Sequence, residues 1–443
     1  MHEWLKMTAA ELGRGIEAGE IDPIDLTGCY LDAIDAHPLR DRIYTQVTHE
    51  RALAEAEAAS QRAKLGLRRS ALDGVPISWK DLFDSAGTQT EAGSDLLKGR
   101  VPEHDARVLA NATSMGTVCL GKTHMSELAF SGLGLNPVKA TPPCVNDEDA
   151  APGGSSSGAA ASVAYGLAAC GIGSDTGGSV RIPSAWNNLV GLKTTSGRIS
   201  LEGVVPLCLK FDTVGPLARS VEDAGLMLGL MEGTSGPDLR NPPSLKGCRF
   251  ADLRSIAWDD LEPEVAAAHV ETLGRLKAAG AEIVPLEVPQ LEEAMGLSAI
   301  LFTTEAYGLW KDVIEASPDV MFAEILERFR SGAQHSGADY VAAWAKLEQC
   351  RMAWDQAVSG FDGVLTPTCP ILPPNMERLH SDHDYYVKAN LLTLRNTRIG
   401  NLMGLCALSL PTGKASCGLQ ILGHPDCEEA LLRIGASVEL ALS

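Results

Sequence analysis

A chain of 443 residues is longer than a single core usually grows, so length alone leaves one large domain or two open. Hydrophobic residues at 45% and charged residues at 21% describe an ordinary soluble globular protein, and a net charge of −20 spread along the chain, with no local basic patch, argues against direct nucleic-acid binding. No run of about 18 apolar residues suggests a membrane span, the opening "MHEWLKMTAAELGRGIEAGE" lacks a basic leader with an apolar core, and eleven cysteines without a C-x-x-C pair read as reduced thiols of a cytoplasmic protein with neither a zinc site nor a disulfide framework.

In chain order, residues 1–66 read as helical. "TAAELGRGIEAGE" and "DPIDLTGCYLDAIDAH" carry helical apolar spacing, with Thr8 and Asp22 as caps. "GVPISWKDLF" is a short apolar strand ending in charge. "HDARVLANATSMG" and "TVCLGKT" follow as helix and strand. "AAASVAYGLAA" reads as a buried helix with Ser155 or Ser156 near its N-cap, and "GPLARSVEDAGLMLGLMEG" as a strongly amphipathic one. "CRFADLR", "PEVAAAHVETLGRLKAAG" and "AEIVPLEV" give strand, helix, strand. Residues 290–360 read as mainly helical, "DGVLTPTCPILPP" as a strand entering a proline-rich loop, "HSDHDYY" as a polar loop, and "GLQILG" with "CEEALLRIGASVEL" as a last strand and helix. Strands separated by helices predict an α/β sheet covered by helices on both faces. With no linker or internal repeat, the expected organisation is one domain over 1–443: a helical segment 1–66, a core 67–235 and a variable, partly helical region 235–360 that bears on substrate.

The chemistry concentrates in "PGGSSSGAAASVAYGLAACGIGSDTGGSVRIPS". A flexible linker would not lead straight into an apolar helix. A phosphate cradle lacks the lysine of a P-loop and the preceding strand of a dinucleotide fingerprint. Ser156 sits at the centre of a formal G-x-S-x-G, yet that motif also demands a preceding strand and a later histidine. His380, His383 and His424 are the late histidines, and nothing marks any of them as a base. What remains is a serine nucleophile with a lysine base, whose pKa burial must depress by about three units. Lys80 ends an apolar strand that could carry it inside; a surface lysine paired with Asp81 or Asp84 is the competing reading. Thr176-Gly177-Gly178-Ser179 makes a tight turn that either presents backbone N–H groups to an oxyanion or is simply structural.

Together these residues resemble the amidase signature family. The match covers "GGSSSGAAASVAYGLAACGIGSDTGGSVRIPSAWNNLVGLKTTSGRIS", "LDGVPISWKDLF", "LGKTHMSELAFSGLGLNP", "FDTVGPLARSVEDA", "FDGVLTPTCP" and "RNTRIGNLMGLCALSLP", weakening only between about 235 and 360. The resemblance implies a mixed central β-sheet and a Ser–cisSer–Lys triad: Ser179 as nucleophile, Ser155 as a bridging serine held by a cis peptide bond, and Lys80 as base. It overrides the elbow reading of Ser156. It further implies an oxyanion hole from the backbone of Thr176, Gly177 and Gly178, with Met125, Ser126 and Ser131 as weaker lining candidates and Asp175 and Arg181 holding the loop. No metal or cofactor is implied; His380 and His383, though close enough to chelate, read as a solvated loop. The expected activity is hydrolysis of a small linear carboxamide through an acyl-enzyme. Hydrolysis of urea-like compounds and the glutaminase component of a tRNA-dependent amidotransferase are the alternatives. The partner is a small-molecule amide, with neither nucleic acid nor membrane, and a homodimer is left open. Two departures bear on substrate: an acidic "NDEDA" before the first glycines, and Trp186-Asn187-Asn188 in place of the family's more frequent turn.

Overall fold

The computed structural model describes residues 3–443. Both expected N-terminal caps form. Thr8 and Glu11 make a reciprocal capping box on the helix Ala9–Glu17, and Asp22 accepts from the Ile24 N–H at the start of Pro23–Ala36. Residues 1–66 are not wholly helical, however: Tyr44–Val47 is an edge strand, β1, too short for its alternation to stand out between two helices.

Ten further strands complete one mixed sheet: β2 (Pro76–Lys80), β3 (Val118–Thr123), β4 (Cys170–Ser174), β5 (Val190–Lys193), β6 (Val214–Ala218), β7 (Arg249–Leu253), β8 (Glu282–Leu286), β9 (Gly363–Pro367), β10 (Ala407–Pro411) and β11 (Gly418–Leu422). Their spatial order is β1-β3-β2-β4-β6-β5-β10-β11-β9-β7-β8. β3, β2 and β4 run parallel, as do β9, β7 and β8, while the strands between pair antiparallel. Every residue of β2 to β6 and of β9 is buried, so helices cover both faces of the sheet.

That all-round burial explains why β5, β6 and β10 were not separable from sequence. A doubly covered strand has no polar alternation, and "GPLA" of β6 reads as the lead-in to the following helix. The helix itself, Val221–Glu232, is capped by Ser220 and buries most of its surface rather than one stripe. A second difference lies at "HSDHDYY", which is not a loop: Asn375 and Asp382 cap two successive helices, Met376–Ser381 and His383–Leu402.

The sheet positions the chemistry by register. β2 and β4 pair in parallel, Ile77 with Cys170 through Trp79 with Ile172, so the carboxyl ends of both strands emerge side by side. Lys80 ends the first and Ser174 the second. Between β3 and β4 the chain makes the helix Ser157–Ala164, whose N-terminal turn lies against the same edge. Ile172, fully buried at the sheet centre, anchors this register. Ile172→Ala is expected to destabilise the protein by roughly 2–5 kcal/mol, read from urea unfolding midpoints at constant m.

Candidate active site

Lys80 is fully buried and pairs with no carboxylate among the described residues. Its Nζ donates to Ser155 Oγ at 2.7 Å and to Ser174 Oγ at 2.8 Å. The competing surface pairings do not occur, since Asp84 pairs with Arg100 and Asp81 with the neighbouring lysine of β3, Lys122. Burial pushes the Lys80 ammonium down to about 7, against the pull of the Asp212 and Asp175 charges.

Two other buried lysines show what is particular here. Lys122 donates to the Asp81 carboxylate at 3.3 Å as well as to the Thr90 hydroxyl at 2.8 Å, and Lys193 donates to the carbonyls of Thr194 and Leu405. Carboxylates and carbonyls can only accept, so both sites suit an ammonium. The partners of Lys80 are hydroxyls, which can donate as well as accept, and a neutral amine remains satisfied between them.

Ser155 follows a cis peptide bond, Gly154–Ser155. The turn around it is packed without slack. The Gly154 N–H donates to the Gly132 carbonyl at 2.7 Å, the Ser126 N–H to the Ser155 carbonyl at 3.1 Å, and a Cβ on Gly154 would collide with the Gly134 backbone and Ser126 Oγ. Ser156 has a structural part: its Oγ donates to the Ser174 carbonyl at 3.2 Å and ties the turn to the end of β4.

The second cluster is organised by Asp175, which pairs with Arg181 with neither exposed. One Asp175 oxygen accepts from Gly178 N–H, Arg181 Nη2 and Asn401 Nδ2; the other accepts from Val180 N–H and Arg181 Nε. The Arg181 charge overrides the effect of burial and holds the Asp175 carboxyl well below the usual range. Arg181 also reaches the Thr397 carbonyl, Gln420 and Asn401. Gly178 adopts φ +141°, and a Cβ there would run into Thr397 and Ile182.

This arrangement sorts the expected oxyanion donors. The Gly178 N–H is already given to Asp175, whereas the N–H groups of Thr176, Gly177 and Ser179 have no acceptor among the described residues. The Thr176 hydroxyl is held by Asp212, whose carboxylate also takes the Leu207 and Cys208 N–H groups. Ser179 lies in the wall of a cleft with Ala129, Phe130, Ser131, Leu207, Phe302, Leu394, Arg328 and Arg398. The two Gly/Ser clusters meet through the Ser156 N–H and the Ser179 carbonyl at 3.3 Å. The Ser179 hydroxyl makes no hydrogen bond to Ser155, so that link of the relay is open; catalytic contacts are commonly loose in free enzymes.

Of the weaker lining candidates, only Ser131 faces the cleft, where Tyr386 OH donates to its Oγ at 3.1 Å. Ser126 braces Ser155 from behind. Met125 is fully buried, with its carbonyl taken by Asn136. Trp186 and Asn187, from the departure noted in sequence, support the first glycine turn: Trp186 packs against Gly153, and Asn187 Nδ2 donates to the Pro152 carbonyl at 2.7 Å. His383 pairs with Glu324, Nδ1 to Oε1 at 2.9 Å, and His380 takes no part in that pair. Phe302, Arg328, Leu394 and Arg398 were missed as site residues because only the closing of the helices over the sheet edge brings them to Ser179.

The amidase family profile matches residues 25–432, and the chain belongs to that family. It is 34% identical to the 2-amino-5-chloromuconic acid deaminase of Comamonas testosteroni, over 98% of this chain and 96% of the relative. It is 32% identical to the glutamyl-tRNA(Gln) amidotransferase A-type polypeptide of Anaeromyxobacter dehalogenans, over 99% and 97%. A crystal structure of an amidase superposes with a TM-score of 0.88 at 30% identity, covering 99% of this chain and all of the other. The native peptide amidase of Stenotrophomonas maltophilia superposes at 0.80 and 26%, covering 98% and 96%. The protein is thus an amidohydrolase, acting on C–N amide bonds.

Removing one partner of the buried Asp175–Arg181 pair strands the other charge. Arg181→Met is expected to cost about 3–5 kcal/mol in chemical unfolding and to lower activity with it.

Proposed function

We propose that the protein hydrolyses a small linear carboxamide to a carboxylate and ammonia or an amine, by acyl transfer through Ser179 with Ser155 and Lys80 as relay and base. The observation that carries this reading is the buried Lys80, which forms no ion pair with any described residue and is hydrogen-bonded to Ser155. In its neutral form Lys80 takes a proton from Ser155, which in turn takes the proton of Ser179 as that oxygen attacks the carbonyl. The developing oxyanion is met by the N–H groups of Thr176, Gly177 and Ser179; Gly178 shapes the loop through Asp175 rather than donating. Return of the proton through Ser155 releases the leaving nitrogen. Water then gives a proton through Ser155 to Lys80 as it attacks the acyl-enzyme, and the proton returns through Ser155 to Ser179 Oγ as the carboxylic product leaves.

The relatives span a deaminase and an amidotransferase component, so family alone does not select the substrate. The acidic surface without a basic patch favours a self-contained hydrolase over one component of a tRNA-dependent complex, and we infer one catalytic domain without a cofactor.

Ser179→Ala is expected to lower kcat at least about 10³-fold in an ammonia- or amine-release assay on a panel of amides, ureas and glutamine. Full retention of activity would remove Ser179 from the nucleophile role. Because the base must be neutral, kcat/KM is expected to rise with pH and level off above about 7, following deprotonation of Lys80. Lys80→Met should abolish that limb together with most of the rate; a rate falling as pH rises through 7 would have the sign wrong.

A further inference from the structure

The cleft at Ser179 adjoins a cavity of about 310 Å³, and Phe302, Arg328 and Arg398 line both. Arg398, on the helix His383–Leu402, is 6% exposed, and Arg328, on the helix Ala323–Arg330, is half-buried. Neither forms an ion pair with any described residue. Arg328 donates to the Phe130 carbonyl at 2.9 Å and lies over the Phe130 ring at 4.4 Å. Arg398 has one long contact, 3.4 Å to Ser298 Oγ, and the Phe302 ring at 5.8 Å. Each guanidinium offers five N–H donors in a planar fork, so most of this donor capacity is unspent.

Two guanidinium groups sharing a wall with no ion pair to either are costly to the folded protein on their own account. Burial pushes Arg398 down to about 9, with the Arg328 charge acting in the same direction, and pushes Arg328 down to about 10. Arg181, by contrast, has Asp175, Arg198 has Glu232, Glu428 and Glu429, and Arg219, which has no ion pair, spends its guanidinium on the carbonyls of Leu5, Met7, Val163, Ala168 and Ala169. Arg328 and Arg398 have neither an ion pair nor such a set of carbonyls, and both line a cavity in which a ligand can supply the acceptors.

We propose that Arg328 and Arg398 together bind a carboxylate of the substrate, which makes the enzyme selective for half-amides of short dicarboxylic acids. The planar fork of arginine fits a carboxylate in two-point fashion. With the carboxylate held there, the carboxamide at the other end of the molecule reaches Ser179 in the adjoining cleft. Glu324 and Glu327 line the same cavity, Glu324 engaged by His383, and their charges disfavour a second carboxylate on the ligand. The ligand is thus a monoanion with one amide.

This inference rests on acyl transfer at Ser179, and its test reads binding separately from turnover. The purified protein is assayed with half-amides from malonamate to adipamate, each beside a neutral amide of equal length with a methyl group in place of the carboxylate. The best half-amide is expected to exceed its neutral counterpart by about 100-fold in kcat/KM, and Arg398→Gln or Arg328→Gln to erase most of that gap, chiefly through KM. In parallel, the corresponding dicarboxylates are titrated calorimetrically into Ser179→Ala with and without Arg398→Gln, and the added substitution is expected to weaken binding at least tenfold. Equal turnover of charged and neutral amides by the unmodified protein would overturn the proposal without reference to any variant, as would dicarboxylate affinity unchanged by loss of both arginines. If Ser179→Ala kept full activity while dicarboxylate binding still depended on the arginines, the nucleophile assignment would fail and the carboxylate site would stand.

Discussion

The placement of one amine in a dry interior, with two hydroxyls and no acid for company, is the constraint around which the rest of the site is arranged. Lys80 arrives there because β2 is apolar to its last residue and pairs in parallel with β4, so that its side chain emerges beside Ser174. An ammonium there would lose its hydration and gain only the longer-range attraction of Asp212 and Asp175. Hydrogen bonding to hydroxyls satisfies either protonation state, and the balance tips toward the neutral amine that a serine hydrolase without histidine requires.

The two acidic residues nearest the site serve the loop. Asp175 gathers two backbone N–H groups, Arg181 and Asn401, and thereby fixes the curve of the turn that carries Ser179, the proposed nucleophile, while removing Gly178 from the proposed oxyanion donors. Asp212 takes the Thr176 hydroxyl and two further amides. Each carboxylate is thereby committed to holding backbone, and neither hydrogen-bonds Lys80. A carboxylate in contact with the lysine would keep it charged, so this division of labour suits Lys80 to the proposed role of base.

Much of this was legible in the chain itself, and the reasons differ by element. The caps at Thr8 and Asp22, the strand carrying Lys80 and the helix after the first serine cluster follow from local patterns whose partners lie a few residues away. The triad residues were reached through the family resemblance, which overrode the local elbow pattern at Ser156. β1 was hidden by its four-residue length, and β5, β6 and β10 by burial on both faces, which erases the period-two signal. The arginines of the cavity were illegible for a different reason. Nothing near Arg328 or Arg398 in sequence marks an absent counter-ion, because absence becomes visible only when every packed neighbour is known.

The state of the Lys80 amine is the central claim, and it can be observed without any substrate. With lysine labelled at the ε-carbon, the protein and its Lys80→Met variant are titrated side by side by NMR. The account predicts one resonance, absent from the variant, that titrates near 7. A Lys80 resonance that stays in the ammonium position up to pH 10 would contradict it.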